Sequence, residues 1–268
     1  MGRPIGVFDS GVGGLSVLRA LRSALPAQDF VYLGDTARLP YGTKSAATVV
    51  RYSLQCAAAL ARYDLRCLVV ACNTASGSAL AALQAAHPQL PVIGVIEPGA
   101  AAAVALTRCE SIAVIATEGT ILGGAYQAAI HRLNPRARVV GHACSLFVAL
   151  AEEGITDGPI ADAVARRYLA PLFESDAPPD TLVLGCTHFP LLKGAIRAAL
   201  PAGVEIVDSA ETTAATVAAH LAAVPTAADA ARGSITWLAT DGAVRFARVG
   251  SLFFGEPLSP AAVSIVDL

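Results

Sequence analysis

One unit recurs along this chain and leaves few folds open to it. A short apolar run rich in β-branched residues ends in a small or polar residue, and a longer Ala/Leu-rich stretch with helical periodicity follows. The runs are Ile5–Phe8, Phe30–Leu33, Cys67–Ala71, Val92–Ile96, Ile112–Ile115, Val139–Val140, Thr181–Leu184 and Val204–Val207. Runs apolar on both faces belong to strands covered by helices on both sides, so the pattern predicts an α/β protein with mainly parallel sheets. Composition narrows the partners. Hydrophobic residues make up 54% of the 268 and charged ones 15%, which excludes a disordered chain, and no apolar stretch approaches the ~18 to 20 residues of a membrane span. With 19 Lys and Arg against 21 Asp and Glu there is no basic field to collect nucleic acid or anionic lipid. The expected partners are a small molecule and copies of the chain itself. The first residues enter a strand-like run with no apolar signal region, so the expected compartment is the cytoplasm. Six cysteines without a CxxC pair do not read as a disulfide framework.

The residues that follow the runs are Asp9, Asp35, Cys72, Glu97, Thr117, Cys144, Cys186 and Asp208. In open parallel sheets ligands bind at that carboxyl edge, which makes the strand ends candidate site residues; helix N-capping is the competing explanation for the Asp and Thr members. Two segments repeat. Val69–Thr74 and Leu182–His188 each read as apolar strand, cysteine, polar pair and helix, about one domain length apart. The repeat predicts two similar α/β domains with the active site in the cleft between them. Breaks at Glu97-Pro98-Gly99 and Asp208-Ser209 put the first domain at 1–97 plus 209–268 and the second at 98–208.

Cys72 and Cys186 lead the candidates, because each precedes a helix N-terminus, where unpaired N–H groups and the helix dipole favour a thiolate. Cys56, Cys67 and Cys109 read as inert, buried fillers. Cys144 also ends a strand but has no counterpart in the other half. His188, two residues beyond Cys186, and Asp9, at the end of the first run, are the expected proton partners. Asp9-Ser-Gly-Val-Gly-Gly14 is a glycine-rich turn able to receive an anion; as a dinucleotide fingerprint it fails at Ser16, although Asp35 could stand for the ribose-binding acid. The turns Pro40-Tyr-Gly42, Asn73-Thr74, Thr117–Thr120 and Thr187-His188 offer neutral donors for carboxylates. The only lysines, Lys44 and Lys193, are not set for a pyridoxal Schiff base. A zinc site of Cys72, Cys186 and His188 lacks the usual ligand spacing. No cofactor and no metal are expected.

Two thiols on opposite sides of one carbon can invert a stereocentre. One thiolate removes the proton, the other thiol returns one to the far face, and the roles swap in reverse. The resulting enolate-like carboxylate needs fixed donors in a water-poor cleft, and Asn73, Thr74 and Thr187 are the expected ones.

At this point the residues resemble a family. Phe8–Gly14, Leu33–Gly42, Ala71–Thr74 and Gly185–Leu192, with Thr117–Thr120 and Glu152-Glu153-Gly154, are similar in order and spacing to the signature segments of bacterial glutamate racemases across almost the whole chain. The resemblance implies Cys72 and Cys186 as catalytic acid/bases assisted by Asp9 and His188. It implies a glutamate site lined by Asp9, Ser10, Tyr41, Gly42, Asn73, Thr74, Thr117, Thr120, Thr187 and His188, a homodimer, and D-glutamate for peptidoglycan synthesis. Ser145 and Ala149 stand where the family often carries Pro, and Thr226 to Gly242 matches poorly. The alternatives are a racemase of aspartate or another acidic amino acid, and a non-catalytic nucleotide- or anion-binding module.

Overall fold

The computed structural model describes residues 2–222 and 232–268. The first stretch of chain forms β1 (Ile5–Asp9), α1 (Leu15–Ala24), β2 (Phe30–Gly34), α2 (Ala46–Ala61), β3 (Cys67–Val70), α3 (Asn73–Ala86) and β4 (Val92–Gly94). Next come α4 (Ile96–Leu106), β5 (Ser111–Ala116), α5 (Glu118–Gly123), α6 (Ala125–Leu133), β6 (Arg138–Ala143), α7 (Leu146–Glu152), α8 (Gly158–Phe173), β7 (Thr181–Gly185), α9 (Lys193–Ala199) and β8 (Glu205–Asp208). Then α10 (Ser209–Ala222), β9 (Ile235–Ala239), α11 (Ala243–Phe254) and β10 (Val263–Ile265) follow.

The strands form two sheets, ordered β10-β9-β2-β1-β3-β4 and β6-β5-β7-β8, and every pairing is parallel. Within them β2-β1-β3-β4 and β6-β5-β7-β8 follow one winding rule. The chain starts in an inner strand, steps to one side, then returns to the other side of it. Loops leaving β1 and β3, and likewise β5 and β7, therefore part in opposite directions and open a crevice at the carboxyl edge. Cys72 follows β3 and Cys186 follows β7, so the repeated sequence segments occupy the same place in each winding.

The sequence reading lacks β9 and β10. β9 pairs with β2 from Phe30↔Ile235 to Gly34↔Ala239, but its Ile-Thr-Trp-Leu-Ala run is too mixed to stand out, and β10 has three residues at the sheet edge. Of the poorly matched segment Thr226 to Gly242, residues 226–231 lie outside the described residues and the remainder contains β9. Glu97 is not at a strand end. β4 stops at Gly94, and Glu97 and Pro98 belong to the first turn of α4, where a proline removes only an N–H with no intrahelical partner. Glu97 there pairs with Arg132 on the surface.

One apolar cluster runs through both halves, from Ile5, Val7, Leu15 and Leu18 to Leu182, Leu184, Phe189 and Ile196. α10 links them, since it packs on α1 from the first half and on α4 and β7 toward the second. Its alanines and threonines keep that packing close. Among the described residues no helix is long and apolar enough to cross a membrane.

Candidate active site

The carboxyl ends of the inner strands meet at a cavity of about 140 Å³, well below the ~300 to 1,000 Å³ of a drug-sized pocket. Ser10, Tyr41, Gly42, Cys72, Asn73 and Thr74 line it from the first half, and Thr117, Cys186, Thr187 and His188 from the second. Asp9 and Thr120 are not on its wall. Asp9 is wholly buried at the end of β1, with its effect on Cys72 electrostatic, and Thr120 stands behind Thr74, hydroxyl to hydroxyl at 3.0 Å. Pro40, Thr43, Glu118, Ser145, Val148 and Gly185 complete the wall. Pro40 and Glu118 belong to turns the sequence offers as donors, and Gly185 and Ser145 enter through the family resemblance. Thr43 and Val148 are not singled out, although Val148 could have been sought one turn beyond the end of β6.

Cys72 is the N-cap of α3, and its Sγ accepts from the Ala75 N–H at 3.5 Å. The expected lowering of its pKa does not occur. Burial pushes the thiol up to about 12, the nearby Asp9 carboxyl adds to the rise, and the hydrogen bonds from Ala75 and Ser10 only partly offset it. The low-dielectric surroundings cost a thiolate more than one helix end returns. Burial also raises the pKa of Asp9 itself, against the pull of His188 and the turn amides. Asp9 Oδ2 accepts from the Gly11 N–H at 2.9 Å, and its Oδ1 has no partner among the described residues.

Cys186 has a different neighbour. Its Sγ lies 3.7 Å from His188 Nδ1, while His188 Nε2 lies 3.1 Å from Glu152 Oε1 at the end of α7. Glu152 Oε2 in turn accepts from Arg245 of α11 at 2.6 Å. Burial by itself would depress His188, but its hydrogen bonds to Cys186 and Glu152 prevail and hold its pKa at about 10. The His188 hydrogen bond keeps Glu152 below its ordinary value, with Arg245 assisting. Glu152 sits in a segment the family resemblance picks out, yet nothing in its spacing from His188 reveals the contact, which only the packing of α7 makes.

Neutral donors gather on and behind the cavity wall. Thr74, Thr117 and Thr120 bring three hydroxyls together at 3.0–3.1 Å, one from α3 and two from the start of α5. Asn73 is buried, and its Nδ2 has no partner among the described residues. The glycine-rich turn serves contact between the halves. A Cβ on Gly13 would come within 2.4 Å of Thr187 Oγ1 and 2.5 Å of His188 Cε1. Ser16, the residue that spoils the dinucleotide fingerprint, places its Oγ 2.9 Å from the carbonyl oxygens of both Gly13 and Thr187. Nor can Asp35 hold a ribose, because its buried carboxylate already accepts from Arg38 Nε at 2.8 Å, from Thr240 at 3.0 Å and from the Tyr41 hydroxyl. The nucleotide alternative loses both its supports.

Cys144 is buried and off the cavity wall. Burial pushes Cys56 and Cys67 up to about 12, which suits inert thiols. Cys109, expected inside, is exposed. A larger cleft of about 890 Å³ between α1, α10 and α11 holds no cysteine. Among the described residues no cluster of three or more His, Cys, Asp or Glu is placed to hold a metal ion.

Residues 5–217 match the family model described as Asp/Glu/Hydantoin racemase. The glutamate racemase of Geobacter metallireducens is 52% identical over 260 residues, covering 96% of this chain and 94% of that one. Among solved structures, a glutamate racemase isoform of Bacillus anthracis superposes with a TM-score of 0.91 at 38% identity, covering 99% of this chain and 97% of the other. A Francisella tularensis glutamate racemase in complex with D-glutamate gives 0.88 at 35% identity with the same coverage. The chain belongs to the Asp/Glu/Hydantoin racemase family, and within it to the glutamate racemases.

Proposed function

We propose that this protein interconverts L- and D-glutamate without a cofactor, by proton transfer between Cys72 and Cys186. The observation that carries the reading is that the two cysteines, each following the third strand of a like-wound sheet, line one small cavity. Its size suits a molecule such as the D-glutamate bound by the Francisella relative.

The two sulfurs start unequal. His188, holding its proton up to about pH 10, supports negative charge on the Cys186 sulfur beside it, whereas burial keeps Cys72 as a thiol. Cys186 therefore takes the α-proton and leaves the electron pair on the α-carbon, delocalised into the carboxylate. Cys72 then gives its proton to the opposite face and becomes the thiolate. The enzyme left behind is the form that acts on the other enantiomer. Asn73, Thr74 and Thr187 stabilise the carboxylate as its charge grows, in a cavity too small to hold bulk water. The segments 1–97 plus 209–268 and 98–208 act as the two bodies that enclose the substrate. The reading carries with it a cytoplasmic homodimer supplying D-glutamate for peptidoglycan, open to fractionation, sedimentation and complementation.

The test is incubation of L-glutamate in deuterated water without pyridoxal phosphate, beside L-aspartate. D-glutamate should appear carrying deuterium at the α-carbon, with aspartate turned over far more slowly. D-glutamate that retains its original α-hydrogen would overturn the mechanism, and faster turnover of aspartate would overturn the substrate.

A further inference from the structure

We propose that Tyr126 is a positioning residue of this site: its hydroxyl holds the Asn73 side chain with the amide NH2 edge toward the cavity, so that the site reads a carboxylate in preference to a carboxamide. The inference rests on the substrate site proposed above and adds a residue to it. Tyr126 lies in α6, a second-half helix, and is fully buried. Its hydroxyl donates to Asn73 Oδ1 at 2.8 Å, across to the first residue of α3 in the first half.

A carboxamide has one edge that only accepts and one that only donates, and its orientation is set by its neighbours. A phenol donating to Oδ1 therefore decides what Asn73 offers elsewhere. The remaining edge is the Nδ2 group, buried and without a partner among the described residues, on a residue of the cavity wall. A buried donor left unpaired costs free energy, and a substrate carboxylate oxygen satisfies it. A carboxamide at the same place can do so only if its own oxygen faces Asn73.

Two further features fit this role. Burial raises the pKa of Tyr126, which keeps it a phenol and hence a donor over the working pH range. The ring is also held in place. It packs on Gly99 and on Gly185, the residue before Cys186, where an added Cβ would come within 3.3 Å and 3.0 Å of ring carbons. One side chain thus couples the strand end that carries Cys186 to the helix start that follows Cys72.

The test compares wild type, Tyr126→Phe, Asn73→Ala, Asn73→Asp and the Tyr126→Phe/Asn73→Ala double variant. Steady-state racemisation is measured together with calorimetric binding of D-glutamate, D-glutamine and D-isoglutamine. Tyr126→Phe should raise KM for glutamate about 3- to 10-fold, with a fall in kcat beside it because Asn73 also meets the growing charge on the carboxylate. Its preference for D-glutamate over one of the two monoamides should narrow by about threefold or more. In the Asn73→Ala background the same substitution should add nothing. Asn73→Asp keeps an acceptor for Tyr126 but turns an oxygen to the cavity, and should bind D-glutamate at least about tenfold more weakly. An unchanged KM and amide preference in Tyr126→Phe, or an equal loss with and without Asn73, overturns the proposal. So does tight D-glutamate binding by Asn73→Asp, which would put the carbonyl edge in the cavity. Failure of wild type to bind or turn over glutamate would instead sink the proposed function, and with it this inference.

Discussion

Replacing Glu152 by Gln leaves an oxygen to which His188 Nε2 can donate but removes the charge 3.1 Å away. Arg245 loses its partner, yet it is 53% exposed and stays solvated. An opposite charge at this range moves a pKa by about 1 to 3, so His188 should fall from about 10 to roughly 7 to 9. Each unit corresponds to about 1.36 kcal/mol between protonation states. The sign is fixed by the lost attraction: the imidazolium gives up its proton at lower pH. If that imidazolium supports the charge on Cys186, the alkaline limb of kcat/KM must move down by the same amount, with little change near pH 6. The assay is racemisation followed by circular dichroism from pH 6 to 10, with His188 titrated by NMR in both proteins. The same contact favours the folded state most between about pH 4.5 and 6.5, the ordinary values of the two partners, and its contribution is gone above about 10. An alkaline limb that stays in place while the His188 titration falls would refute the role given to His188, and an unmoved titration would refute the electrostatic reasoning itself.

Cys72→Ala and Cys186→Ala should each lower kcat/KM by about 10²- to 10⁴-fold, the usual worth of a general acid or base, with melting temperatures near that of wild type; one fully active single variant would dissolve the paired roles. Gly13→Ala forces a Cβ to within 2.4 Å of Thr187 Oγ1, and such overpacking should cost about 1 to 3 kcal/mol in a denaturant melt along with most of the activity. A Gly13→Ala protein as stable and active as wild type would mean that the turn does not press against His188.

Much of this architecture could be read from particular residues. The runs at Cys67–Ala71 and Thr181–Leu184 pointed to the parallel class and to a cysteine just beyond each of two strands, because strand period and strand-end chemistry are local properties. Only Cys72 stands at a helix start, whereas Cys186 is followed by a turn and a short 3-10 segment before α9 begins at Lys193. What stayed hidden depends on contacts between distant segments. β9 joins the sheet by pairing with β2 some two hundred residues earlier, Glu152 reaches His188 only through the packing of α7, and Tyr126 meets Asn73 across the cleft. The thiol of Cys72 was misjudged for a related reason. Its helix end is visible in sequence, whereas the burial that raises its pKa is a property of the assembled halves.

The like winding of the two sheets, with an aspartate attending one sulfur and an imidazole the other, has a kinetic corollary. L- and D-glutamate have identical free energies in water, so the Haldane relation requires kcat/KM to be the same in both directions whatever the protein does. Unequal attendants can therefore appear only as paired changes, a higher turnover number for one enantiomer balanced by weaker saturation with it. The handedness of the catalyst is confined to how tightly each antipode dwells in the site, and never enters the ratio at which the two come to rest.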